Sequence, residues 1–124
     1  MAIAGAVANM SLLSCSVGGL TFALGFFDVV DPSRVTDAMI KLRRATVANL
    51  EGVNVRMESF QVRGMTPNPQ ALQLSLVGKQ ADGRVVRAHA AFFVKGMRVY
   101  QATVMGSEAP DAVQTFFRGF KFLT

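Results

Sequence analysis

The chain has no tryptophan, one cysteine, one histidine, one tyrosine and four prolines in 124 residues. Each scarcity removes a class of protein. A lone Cys15 excludes an internal disulfide framework and any multi-cysteine metal centre. A lone His89 leaves a histidine-based metal site dependent on nearby Asp, Glu or Cys ligands, and no such cluster is visible. Charge is sparse as well: 17% of residues are Asp, Glu, Lys or Arg, and none precedes Asp28. That uncharged start raises the question of a membrane span, but Asn9, Ser11, Ser14, Ser16 and Thr21 interrupt it and Gly18-Gly19 sits within it. No basic flank follows before Arg34, so no transmembrane span is expected. The absence of a basic leading residue also argues against a signal peptide, and it weakens the faint lipoprotein-like Leu12-Leu13-Ser14-Cys15.

What is present suits one compact domain. Half the residues are hydrophobic (51%), enough for a packed core and against wholesale disorder. A domain of this length buries roughly two-thirds of the surface its unfolded chain exposes. The ten Phe residues carry most of the aromatic burial, and with seven Met they serve either core filling, the simpler use, or adaptable contact with apolar partners. The net charge of +5 fits solubility, and equally an acidic or anionic partner.

Alternation and punctuation define the elements. Leu13, Cys15 and Val17 alternate with Leu12, Ser14 and Ser16. Beyond Gly18-Gly19, Leu20, Phe22, Leu24 and Phe26 alternate with Thr21, Ala23 and Gly25. Two alternating runs around a Gly-Gly pair predict a β-hairpin. The small face of its second strand predicts close packing by another element. Asp31-Pro32-Ser33 opens a helix, with Asp31 as cap and Pro32 at the first helical position. Val35, Ala38, Met39, Leu42, Ala45, Thr46, Asn49 and Leu50 continue it at helical spacing, and Gly52 is the expected left-handed stop. Val53 to Arg63 and Ala71 to Val77 read as strands around a Pro67/Pro69 loop, and Asp82-Gly83 marks a turn.

The last forty residues carry the clearest pattern. Val85 to Val94 and Met97 to Met105 alternate around Lys95-Gly96, read as a two-residue turn. That register sets Val94 against Met97, Phe92 against Val99 and Ala88 against Thr103 on an apolar core face. The opposite, mixed face sets Phe93 against Arg98, Ala91 against Tyr100, His89 against Ala102 and Arg87 against Val104. Arg87, His89, Phe93, Arg98 and Tyr100 on this mixed face form the candidate binding surface. Asp111 to Arg118 predicts a short helix ending at Gly119, and Phe120-Lys121-Phe122 follows. The fold class expected is α+β, an antiparallel sheet of about six strands with one long and one short helix packed on it.

Reactive chemistry finds little support. Cys15 between Ser14 and Ser16 reads as a buried, inert thiol. Asp28 and Asp31 flank a helix start, where negative charge is favourable in any case. Gly18-Gly19 has no phosphate-loop signature. Lys41, Arg43 and Arg44 on the helix and Arg84, Arg87, Lys95 and Arg98 on the hairpin read as solvated faces, with too few interleaved aromatics for nucleic acid. Neither a cofactor nor an enzyme activity is expected.

The order of elements resembles the PsbP/Mog-type fold, in particular bacterial DcrB-like envelope proteins. The residues that carry the likeness are Leu20 to Phe27 with the Asp31 to Gly52 helix, the Arg87 to Gly106 hairpin with Val99-Tyr100-Gln101, and the Phe-rich ending Asp111 to Phe120. The resemblance covers residues 10 to 123, and its motifs are structural. It implies a non-enzymatic accessory or binding domain of the cell envelope, periplasmic, engaging a protein or an apolar ligand through the mixed face or a groove beside the long helix. Such proteins carry an export signal and a first strand that are missing here, so the native chain is expected to begin upstream of Met1. A missing first strand would leave a sheet edge open for a homodimer. The alternative is a cytoplasmic chaperone for the hydrophobic segment of a secreted effector.

Overall fold

A computed structural model of the chain describes residues 2–3, 6–7, 11–79, 82–106 and 110–122. Two short strands, β1 (Ala2–Ile3) and β2 (Ala6–Val7), pair with each other. The main sheet has six antiparallel strands: β3 (Ser11–Val17), β4 (Leu20–Asp28), β5 (Val53–Ser59), β6 (Leu72–Lys79), β7 (Val85–Lys95) and β8 (Arg98–Gly106). They lie in the order β3-β4-β8-β7-β6-β5, so β3 and β5 are the edges. A 3₁₀ turn (Pro32–Arg34) leads into α1 (Val35–Asn49), and α2 (Pro110–Arg118) closes the chain. The expected α+β class, six-stranded antiparallel sheet and long and short helices are what the chain forms.

The two sheet faces bury two separate clusters. On one, α1 lays Val35, Ala38, Met39 and Leu42 on Phe27, Leu74, Leu76, Phe92, Val94 and Val99. On the other, Val113 and Phe117 of α2 pack with Phe60, Val62, Leu20, Phe93 and Val104, and Phe116, Phe120 and Phe122 lean against them. The side chain of Asp31 accepts the Ser33 amide at 3.0 Å and so caps the first helical turn, as expected. That contact, and the Ser33 hydroxyl, hold the Asp31 carboxyl below its ordinary pKa. Among the described residues no helix is long and apolar enough to cross a membrane.

Several expectations are corrected. The last hairpin turns at Gly96-Met97 rather than Lys95-Gly96, and Lys95 pairs with Arg98. Gly96 sits at φ 60°. A type II′ turn needs that conformation at its first central position, so the glycine leads the turn and the register moves by two. Val94 therefore opposes Val99 and Phe93 opposes Tyr100. The division into two faces is unchanged, because a two-residue shift preserves side-chain parity. Helix α1 ends with Glu51, not Gly52, at positive φ (49°). Gly52 serves close approach instead, since a Cβ there would lie 2.9 Å from Leu76 Cδ2. The strand begun at Val53 stops at Ser59, and Phe60 and Val62 turn into the α2 cluster. Cys15 is exposed, not buried, because β3 is an edge strand with neither face covered by a described element.

Candidate functional site

The mixed face does not assemble into one open surface. Phe93 is 2% exposed. Its ring stacks on Tyr100 at 5.1 Å and meets Phe60, Phe120 and Phe122 at 5.7–6.0 Å. The short helix and the Phe-rich tail cover it. Tyr100 is half-buried in the same cluster. Arg98 lies at the hairpin end, where Nε and Nη2 donate to the two Asp28 carboxylate oxygens at 2.8 and 3.1 Å and the guanidinium sits 4.5 Å from the Phe26 ring. The Arg98 hydrogen bond holds the Asp28 carboxyl below its ordinary pKa. Reversing the charge at Arg98 would set two carboxylates together, so it is not a clean probe of binding. Arg87 and His89 occupy the other end of this face, opposite Val77 and Ser75 of β6. The five residues thus divide into a covered aromatic pair, an ion-paired arginine and a polar corner.

A different site opens on the α1 face. A cavity of about 270 Å³ lies between the C-terminal half of α1 and the sheet. Its floor is Ala23 and Gly25 of β4, Ala88 and Ala90 of β7, and Gln101 and Thr103 of β8. Leu42, Ala45, Thr46, Asn49 and Leu50 of α1 form one wall, with Leu74, Leu76 and Met105 beside them and Leu12 of β3 at the opposite rim. The cause is a gradient in side-chain size. Under the first half of α1 the sheet presents Phe27, Phe92, Val94 and Val99, which meet the helix fully. Under the second half it presents Ala, Gly and Thr, too short to reach it. The small face of β4 thus leaves a groove, not the close packing expected of it.

The groove is mainly aliphatic, and Thr46, Asn49, His89, Gln101 and Thr103 are the polar residues of its lining. Gln101 Nε2 donates to Thr46 Oγ1 at 3.1 Å, and the Thr46 hydroxyl donates to the Leu42 carbonyl at 2.9 Å. No ionisable carboxylate, lysine or arginine lines it among the described residues. Its volume lies just under the range of cavities that hold drug-sized ligands, so it suits one or two apolar side chains. On this face the rim ends in Leu12 of β3, 63% exposed, whereas the exposed Leu13 and Val17 pair with Leu24 and Leu20 and lie on the α2 side of the same edge strand. The described residues contain no group of three His, Cys, Asp or Glu placed to hold a metal ion. Spacing alone could not have revealed this groove. The small-residue alternation Thr21-Ala23-Gly25 was its one signal, and it is ambiguous between tight packing and an opening.

No protein-family model matches the chain, and no curated protein does. Among solved structures it is similar to a Pseudomonas aeruginosa protein of unknown function, PA94, whose description suggests a regulator. That match has a TM-score of 0.61 and 13% identity over 92% of this chain and 83% of that one. Likeness at this identity extends to the fold.

Proposed function

We propose that the protein is a non-enzymatic binding domain that accepts an apolar segment of another protein in the groove between α1 and the small-residue end of the sheet. The observation that carries this reading is the groove's composition: a mainly aliphatic slot, without carboxylate, lysine or arginine among the described residues, bounded by the exposed Leu12 of the β3 edge. Apolar patches kept at a surface mark interaction sites more often than chance exposure does. The PsbP/Mog-type resemblance, with its DcrB-like envelope members, supports a binding or accessory role and is the ground for proposing the cell envelope as its setting. The chaperone reading, in which a cytoplasmic protein holds the hydrophobic segment of a secreted effector, draws on one further observation. Leu12 of β3, whose outer edge no described strand pairs, lies at the rim of the groove, as shielding an extended apolar stretch would require. Fractionation of the native gene product, with its mature N-terminus read by mass spectrometry, separates the two settings. A processed envelope chain selects the first, and an unprocessed cytoplasmic chain the second.

The groove is tested by filling it. Ala45 is half-buried on α1 and faces the slot, so Ala45→Phe should occupy the space meant for a partner's side chain. Losing the burial of one apolar side chain, about 1.5–3 kcal/mol, should weaken capture of a Leu-rich synthetic peptide roughly tenfold to a hundredfold with little change in melting temperature. Undiminished capture by this variant, read by fluorescence anisotropy, would remove the groove from the mechanism.

We also propose a homodimer through β3. Edge strands normally carry charge, proline or a bulge against pairing. β5 carries Arg56, Glu58 and a bulge between Val53 and Arg56, whereas β3 (SLLSCSV) has none of these. Antiparallel pairing of two β3 strands about an axis normal to the sheet would put both grooves on one face. Leu13→Lys should shift the protein from dimer to monomer in light scattering at micromolar concentration. A wild-type chain already monomeric at high concentration would discard the dimer and leave the groove intact.

A further inference from the structure

The sheet face opposite the groove carries a polar corner beyond the reach of α2. The β5-β6-β7 register sets Arg56, Ser75 and His89 in one row across three strands. Neighbouring strands are about 4.8 Å apart, so an arginine and a histidine flank a serine hydroxyl within reach of one small ligand. Asn54, at φ 55° in the bulge preceding Arg56, borders the same hollow. Bulges re-aim the strand that contains them. The hollow has a volume of about 490 Å³, and Arg87 stands at its rim. It continues into a smaller one of about 210 Å³ that shares Arg56, Ser75 and His89 and adds Gln73 and Gln114.

The charge arrangement gives the chemistry. No carboxylate lines the larger hollow among the described residues. Glu58 lies in the smaller one, opposite Gln73, and forms no ion pair with Arg56. Elsewhere Lys41, Arg84 and Arg98 are each neutralised by a neighbouring aspartate. Arg56 has no such partner among the described residues. A guanidinium fork, a hydroxyl and an amide form a donor-rich array matched to a tetrahedral oxyanion, with the His89 ring beside them whichever contacts it already makes. Arg87 adds positive potential at the rim whichever contacts it already makes.

We propose that this corner, formed by Arg56, Ser75 and His89 with Asn54 and Arg87 beside them, binds a phosphate group, either free or as a monoester. It lies on the other side of the sheet from the apolar groove and does not depend on the function assigned there. The test follows amide and arginine side-chain resonances of the full chain by ¹H–¹⁵N NMR. Inorganic phosphate, O-phosphoserine and potassium chloride of matched ionic strength are titrated in parallel. Saturable shifts are expected at Arg56, Ser75 and His89 with phosphate and not with chloride. Arg56→Gln should weaken binding about tenfold, the loss of a hydrogen bond to a charged group, while Arg34→Gln leaves it unchanged. The exposed edge position of Arg56 keeps the fold, which the undisturbed core resonances verify. Binding of both phosphate ligands identifies the phosphate end of a larger molecule, and binding of inorganic phosphate alone identifies free phosphate. Shifts no larger than those with chloride, or equal shifts in Arg56→Gln, overturn the site.

Discussion

Replacing Phe93 by alanine is expected to lower stability by about 3–5 kcal/mol, the largest effect of any single truncation on the α2 side of the sheet. The ring is 2% exposed and meets Phe60, Tyr100, Phe120 and Phe122. It therefore joins four separate pieces of chain: the segment after β5, β7 itself, β8 and the C-terminal tail. Truncation removes the transfer free energy of the ring and leaves a cavity whose walls are themselves rigid aromatics, with little freedom to collapse. The loss should be visible in urea denaturation, with faster amide exchange in α2 before global unfolding. Arg87→Ala on the same strand should change stability far less, because Arg87 is exposed and surface substitutions usually cost under about 0.5 kcal/mol. An unchanged urea midpoint for Phe93→Ala would mean that the tail does not cover this face. Phe93 would then return to the binding surface suggested by its alternation.

That contrast shows what alternation can and cannot establish. Period-two patterning assigns Phe93, Tyr100, Arg98, His89 and Arg87 to one face, and that assignment holds. Whether a face is open depends on elements far away in sequence. Val113, Phe117 and Phe120 cover the Phe93 end, while the Arg87 and His89 end lies beyond them. The Phe-rich ending was legible as a short helix and a tail, but its docking site was not, because an aromatic cluster has no sequence register of its own. The turn lies at Gly96-Met97, one residue beyond Lys95-Gly96, for a more local reason. Either neighbour of Gly96 completes a two-residue turn, and only the demand for positive φ at the first central position decides between them.

The groove lies further from sequence logic. A row of small residues on a strand predicts either a close neighbour or a gap, depending on the distance of the opposing helix. Helix α1 is held near the sheet at its start by Met39 and Leu42 against Phe92 and Val99. At its end Leu50 approaches Gly78, where a Cβ would lie 2.7 Å from the Leu50 carbonyl oxygen. Between these anchors the wall residues Ala45 and Thr46 oppose Ala23, Gly25 and Thr103, and neither side fills the interval. The exposed state of Cys15 has the same kind of origin. Its alternation with Leu13 and Val17 is that of a core strand, yet no described element lies over β3. An apolar strand at an edge is one of the few places where a correct strand assignment gives the wrong burial, and here it directs attention to a partner.

Gly106→Ala is expected to cost at least about 3 kcal/mol, more than conformational strain alone would give. Gly106 ends β8 at φ 138°, a conformation that side-chain-bearing residues rarely adopt. It pairs with Leu20 on one side and Arg87 on the other. A Cβ there would stand 2.2 Å from the Gly19 carbonyl oxygen and 3.2 Å from Leu20 Cα. All of these obstacles are backbone, so no change of rotamer relieves the overlap. The first hairpin would have to move away from β8 at its turn. That movement withdraws the buried Leu20 from the α2-side cluster and loosens the β4 strand that floors the groove. Gly96→Ala is the control. Gly96 also has positive φ, at 60°, but nothing lies within 4 Å of the added methyl, so its cost is conformational, about 1 kcal/mol. Chemical denaturation of the two variants separates the terms: Gly106→Ala should lose at least about 2 kcal/mol more than Gly96→Ala, with loss of peptide capture by the groove. Equal losses would mean that the hairpin turn does not press on the end of β8, and the groove floor would then owe nothing to that contact.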